Sequence, residues 1–181
     1  MNTHSSGYYS IDEEYTIIGM QAQEQGLTTV MEIEPEVYEN PYIYGSPLHL
    51  IRAMMNIYSN CIKYNKENGE IRTHVRLLHS DEKILTYQWT VSDTGIGISE
   101  DYLSRIFEPF TQEGTDVRSV YQGTSLEMSI AKALFEQMGG NLEVFSKLGE
   151  GSTFVITLPF ERAQELKTTV IEKTERESIQ D

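Results

Sequence analysis

The segment from Gly45 to Tyr64 restricts the fold more than any other part of the chain. Ser46 followed by Pro47 opens a helix, with the serine as N-cap and the proline at the first helical position, where its missing N–H costs nothing. The helix is expected to run from about Leu48 to Tyr64. At about 100° per residue, Leu50, Ile51, Met54, Tyr58, Cys61 and Ile62 fall on one stripe, and Asn56, Asn60, Lys63 and Tyr64 fall together opposite it. A helix apolar on one side only must bury that side against another layer. The flanking segments supply the layer. Residues 27–34 alternate apolar and polar residues, IRTHVRLLH and KILTYQWTVSD form two strand-like runs around Ser80–Glu82, and NLEVFSK and STFVITLPF close the chain around LGEG. The expected fold class is therefore an α/β (α+β) two-layer sandwich: a mixed, mostly antiparallel sheet covered on one face by helices.

The remaining segments fill in around this frame. Residues 1–11 read as a polar arm, and 12–25 as a helix with Asp12 as N-cap and Gly26 as its stop. A turn is expected over Pro35–Pro41, a short strand at Tyr42–Tyr44, a short helix over 100–107, and a helix over 126–138 ended by Gly139–Gly140. Residues 111–124 have no period and read as a long loop, the kind that more often carries function than not. Residues 161–181 read as a tail or linker, which leaves 12–160 as the folded domain.

Charge then excludes whole classes of partner. With 14 Lys+Arg against 28 Asp+Glu, the net charge is −14. That field disfavours nucleic acid and anionic membrane, so no nucleic-acid partner and no direct membrane contact are expected of this chain. Its apolar runs are all shorter than a bilayer-spanning helix, which needs about 18 or more residues. One cysteine, Cys61, permits no intrachain disulfide and suits a reducing, cytosolic setting. Any anion must be held locally.

Three places have the chemistry to hold one. In DTGIGI (93–98) a carboxylate, Asp93, ends an apolar strand, and Gly95 and Gly97 bracket a tight turn. Such a turn allows backbone to approach a planar ligand while the carboxylate accepts from an amine; it is equally what a plain strand-to-helix turn requires. On the polar helix face, Asn60 offers a neutral oxygen to a hard cation such as Mg²⁺, Lys63 a charge for phosphate, and Tyr64 a ring to wall a base; the same residues also suit a solvated face. Finally, Gly123–Thr124–Ser125 lead into a helix N-terminus, where free N–H groups and the dipole favour phosphate, as they also favour an ordinary cap.

In combination these segments resemble the ATP-binding (HATPase) domain of sensor histidine kinases, in the GHKL (Bergerat-fold) superfamily. The resemblance rests on NIYSNCIKYN (56–65, the N box), DTGIGI (93–98, the G1 box), IFEPF (106–110, the F box), GTSLEMSI (123–130, the G2 box) and GEGSTF (149–154), in the family's order. It implies a Bergerat ATP-binding fold with ATP and Mg²⁺ as cofactors. Asn60 matches the Mg²⁺-binding asparagine. Asn56 matches the residue near the γ-phosphate, a glutamate base in the superfamily's hydrolases; an amide there takes no proton and suits transfer to a protein histidine. Lys63 and Tyr64 match residues touching phosphate and adenine. Asp93 matches the carboxylate that reads the adenine amine, with Gly95 and Gly97 beside it. Phe107 and Phe110 match the aromatics at the base of the lid, and Arg118 lies in the lid. Gly123, Thr124, Ser125 and Leu126 match the backbone that closes on the triphosphate, and Thr153 a residue near the adenine.

Two departures from the family pattern matter. In the G2 box, G-x-G-x-G becomes Gly123, Ser125 and Glu127, and Glu127 brings a carboxylate to the helix end meant for phosphate. Nothing resembles a phosphoacceptor segment: His4 lies in the arm, His49 on the N-box helix, and His74 and His79 on a strand. The resemblance thus implies the catalytic domain of a longer, cytoplasmic or membrane-anchored kinase. Its partners would be a histidine-bearing dimerisation domain and a response regulator or receiver domain. The alternative is a degenerate module that binds ATP weakly or not at all and acts in regulation.

Overall fold

The computed structural model describes residues 7–10, 15–40, 42–109 and 126–162. In chain order these form β1 (Gly7–Ser10), α1 (Tyr15–Glu24), β2 (Thr28–Ile33), α2 (Pro35–Glu39), β3 (Tyr42–Gly45), α3 (Pro47–Lys63), β4 (Glu70–Ser80), β5 (Ile84–Asp93), α4 (Glu100–Leu103), α5 (Glu127–Gln137), β6 (Asn141–Lys147) and β7 (Gly151–Glu161). The strands make one sheet in the order β1-β3-β7-β5-β4-β2, with β6 also on β7. Every pairing is antiparallel except β2 with β4. This is the mixed, mostly antiparallel sheet that the sequence predicts.

The period of two on β5 and β7 decides where the core lies. Leu85, Tyr87, Trp89 and Val91 are buried and alternate with half-buried Thr86, Gln88, Thr90 and Ser92. Phe154, Ile156, Leu158 and Phe160 do the same on β7, directly opposite Val91, Trp89, Tyr87 and Leu85. One face of the sheet is therefore apolar, and the helices cover it. α3 buries Leu50, Ala53, Met54, Ile57, Tyr58 and Cys61, and α5 buries Met128, Ala131 and Phe135. A buried hydroxyl pair in this layer is satisfied internally, Tyr58 Oη lying 2.7 Å from Thr73 Oγ1. Gly140 N–H closes the end of α5 on the Phe135 carbonyl at 2.8 Å. Among the described residues no helix is long and apolar enough to cross a membrane.

The structure corrects four expectations. The arm over 1–11 contains a strand, β1, paired with β3 along Gly7↔Gly45 to Ser10↔Tyr42. The turn over Pro35–Pro41 contains α2, started by Pro35 and anchored by Val37, which is buried; its five residues are too few to show a period. The buried stripe of α3 is Leu50, Ala53, Met54, Ile57, Tyr58 and Cys61, an unbroken i, i+3, i+4, i+7 series. Ile51 lies on its flank and is 38% exposed. The helix expected over 100–107 stops at Leu103. Asp12 lies outside the described residues.

Candidate nucleotide site

The polar face of α3 and the turn after β5 meet at the C-terminal end of α3. Ile96 N–H donates to the Tyr64 carbonyl at 3.0 Å, and Thr94 N–H to the Glu70 carbonyl at 3.1 Å. Asn65 fastens the corner. Its amide nitrogen donates to the carbonyls of Cys61 (3.1 Å) and Glu70 (3.3 Å), and its Oδ1 accepts from Lys66 N–H (3.0 Å) and the Thr94 hydroxyl (3.1 Å). The sequence reading missed this residue, although an asparagine directly after a helix is a recognisable capping signal. Asn60, Lys63, Tyr64, Asp93, Gly95 and Gly97 are thereby brought together.

The other side of the turn is held by the β6–β7 hairpin. Gly149 N–H donates to the Ile96 carbonyl at 2.7 Å, and Ile98 N–H to Ser146 Oγ at 2.9 Å. Gly97 has φ +69°, and a Cβ there would lie 2.0 Å from the Lys147 carbonyl oxygen; a Cβ on Gly95 would lie 2.3 Å from the Tyr64 carbonyl oxygen. The need for glycine at both positions is set by this protein's own backbone on either side of the turn.

Asp93 is fixed by that packing. Its Oδ1 accepts from Gly95 N–H at 2.8 Å and from Ser152 N–H at 3.3 Å. Cys61, wholly buried in α3, lies within the electrostatic reach of the same carboxylate. Burial pushes the thiol pKa well up, and the negative charge of Asp93 pushes it further, so the sulfur stays protonated. Native Cys61 is accordingly expected to resist alkylation by iodoacetamide and to react at least ~100-fold faster in denaturant, because a buried thiol reacts only through opening of the fold.

On α3, Asn60 Nδ2 donates to the Asn56 carbonyl at 3.1 Å, which fixes the amide and leaves Oδ1 as its acceptor atom. Lys63 Nζ stands 5.0 Å from the centre of the Tyr64 ring. Asn56, Asn60, Lys63 and Tyr64 are all half-buried. Among the described residues no three His, Cys, Asp or Glu side chains converge to hold a metal.

α5 packs beside α3 and begins at Glu127, so the carboxylate occupies the first turn, as the sequence predicts. Leu126 is its N-cap and makes no side-chain cap bond. Phe107 is partly buried against the core, with Lys132 Nζ of α5 4.6 Å from its ring centre. Phe110, Arg118, Gly123, Thr124 and Ser125 lie outside the described residues. Thr153 does not join the site. The β5–β7 register sets Asp93 opposite Ser152, so Thr153 projects to the other face, where its hydroxyl lies 3.1 Å from that of Ser92. The residue beside Asp93 is Ser152. The sequence reading was one residue off along a strand whose faces alternate.

Residues 45–162 match the family model described as "Histidine kinase-, DNA gyrase B-, and HSP90-like ATPase". The chain belongs to that family. Its relatives include sensor histidine kinases. It is 38% identical over 132 residues to Sensor histidine kinase RcsC of Escherichia coli strain K12, covering 73% of this chain and 13% of RcsC. It is 35% identical over 150 residues to Hybrid signal transduction histidine kinase B of Dictyostelium discoideum, covering 82% of this chain and 7% of that protein. Among solved structures, full-length ShkA in complex with AMPPNP aligns with TM-score 0.69 and 26% identity over 88% of this chain and 32% of ShkA. The catalytic domain of histidine kinase ThkA shares the fold at TM-score 0.68 and 19% identity, over 86% of this chain and 96% of that domain. The chain thus spans a small part of the curated relatives' length.

Proposed function

We propose that this chain is the ATP-binding catalytic domain of a two-component sensor histidine kinase. It binds Mg-ATP and presents the γ-phosphate to a histidine on a separate dimerisation domain. The observation that carries this reading is Asp93: an acceptor-only carboxylate, clamped by Gly95 and Ser152 N–H groups at the end of the amide-bearing helix. An ionised carboxylate held there suits the exocyclic amine of adenine. Asn60 Oδ1 is a hard oxygen donor of the kind Mg²⁺ takes along with phosphate oxygens and water, and the ion would neutralise charge on the phosphates. Lys63, one turn further, supplies a cation for the phosphate chain. Asn56 accepts no proton, so it does not act as a base for water, and transfer to a protein acceptor is favoured over hydrolysis. A histidine on the partner domain is itself the nucleophile, which leaves this chain to position and stabilise. The downstream partner is a response regulator or receiver domain, and the setting is cytoplasmic.

The test is transfer of radiolabelled γ-phosphate from Mg-ATP to the histidine-bearing domain of the same natural protein. Labelled phosphohistidine is expected with the wild type. Asn60→Ala is expected to reduce its rate about 10²–10³-fold, the usual loss when a key electrostatic contact to the reacting group is removed. No label at any ATP concentration would contradict the kinase reading. One observation favours a second reading, a regulatory module with weak or no ATP binding: Glu127 in the first turn of α5.

A further inference from the structure

Ser146 is half-buried on β6 and takes no part in the proposed chemistry, yet it has three polar neighbours. Its Oγ lies 2.8 Å from the Gly151 carbonyl oxygen, 2.9 Å from Ile98 N and 2.9 Å from Ser152 Oγ. A hydroxyl has one proton and two lone pairs. The Gly151 carbonyl cannot donate, so the Ser146 proton goes there. The Ile98 N–H cannot accept, so it takes one Ser146 lone pair. The other lone pair faces Ser152, whose own proton must fill it. Ser152 is thus left with lone pairs alone. It is buried, stands opposite Asp93 in the β5–β7 register, and also donates its N–H to that carboxylate.

We infer that Ser146 is a specificity-determining positioning residue: by fixing the Ser152 proton it makes Ser152, like Asp93, an acceptor only, so that the site selects a purine with a 6-amino donor over one with a 6-oxo group. The inference rests on the proposal that adenine binds at Asp93. A 6-amino group supplies the protons both acceptors lack. A 6-oxo group sets lone pairs against lone pairs, and a site built to pair a donor rejects a ligand that lacks it. Without Ser146, the Ser152 hydroxyl turns freely and can donate to a 6-oxo group.

The experiment compares ATP with inosine triphosphate, which carries oxygen in place of the amine, by calorimetric titration of the domain with Mg²⁺ present. Wild type is expected to prefer ATP. Ser146→Ala is expected to lower the ATP-to-inosine-triphosphate affinity ratio about tenfold, the scale of one hydrogen bond matched or mismatched in a buried site. Ser146→Cys, close in shape and a poor hydrogen-bonding group, lowers it in the same direction if the alanine variant does not fold. Ser146→Thr keeps the hydroxyl and restores the wild-type ratio. In a Ser152→Ala background, Ser146→Ala changes the ratio no further. A merely structural Ser146 would weaken both nucleotides equally; that result, or an equal ratio change in the Ser152→Ala background, overturns the inference alone. Wild type that binds neither nucleotide overturns the nucleotide reading, and this inference with it.

Discussion

Gly97→Ala is expected to destabilise the domain by about 2–5 kcal/mol: roughly 1–2 for an L-residue in the left-handed region and roughly 1–3 for overpacking. The conformational part follows from φ +69° and the steric part from the Lys147 carbonyl oxygen, which would lie 2.0 Å from the new Cβ. That oxygen belongs to the last residue of β6, so relief would require the hairpin to move away from the turn. The hairpin carries Gly149 and Ser152, whose N–H groups hold Ile96 and Asp93. Nucleotide affinity should therefore fall with stability. For a chain of this size, the loss corresponds to a melting temperature lower by roughly 5–15 °C. Gly149→Ala is the control. Gly149 also has positive φ, +84°, but a Cβ there meets nothing within 4 Å. Its loss should be the conformational part alone, about 1–2 kcal/mol. Equal melting temperatures for the two variants would contradict the steric argument.

Glu127→Gly is expected to move stability and affinity in opposite directions. Without ligand, the helix loses a carboxylate that favours its N-terminus, about 0.3–1 kcal/mol, and gains a glycine, a cost of up to about 1 kcal/mol. With Mg-ATP, repulsion is removed. One carboxylate against one phosphate charge at ~5 Å and an effective dielectric of ~20 costs about 3 kcal/mol, so affinity should rise by as much as ~100-fold. Mg²⁺ lowers that figure by neutralising part of the phosphate charge, which makes ~10-fold the smallest gain consistent with the argument. The expected record is a lower melting temperature for the free variant and a tighter calorimetric isotherm. An unchanged isotherm would mean that the Glu127 side chain faces away from the phosphates.

Much of this site is legible from local pattern. The polar face of α3 follows from spacing, because a helix sorts its residues by angle, while packing shifts the apolar face to include Ala53 and Ile57 and leaves Ile51 on its flank. Asp93 and its glycines are visible as a carboxylate at the end of an apolar strand followed by T-G-I-G, a pattern that a plain strand-to-helix turn shares and that the neighbouring segments single out. What was not legible depends on pairing across long separations. β1 is a strand because β3 lies beside it, and no alternation within four residues announces this. Thr153 and Ser152 are equivalent as local sequence. Only the register of β7 on β5, Asp93 opposite Ser152, decides which one faces the site. The same holds for the glycines: the turn suggested room for a ligand, while the atoms that forbid a side chain are the carbonyls of Tyr64 and Lys147, the second of them 50 residues away in the chain.

The charge of the chain reads differently once the site is in view. A net charge of −14 acts weakly at distance, since salt screens most of it beyond about 10 Å. Two carboxylates matter locally, with opposite consequences. Asp93 is held by the backbone N–H groups of Gly95 and Ser152, where it serves as an acceptor. Glu127 heads a helix whose dipole a phosphate could otherwise use.

The most direct test of the Asp93-centred site is a calorimetric titration of the domain with Mg-ATP, wild type beside Asp93→Ala. Saturable one-to-one binding by the wild type is expected. A loss of about 100-fold or more is expected for Asp93→Ala, as for removal of a charged hydrogen-bonding partner from a buried contact. Equal affinity in the two proteins would place the adenine elsewhere, and no binding by the wild type would contradict a nucleotide site in this chain.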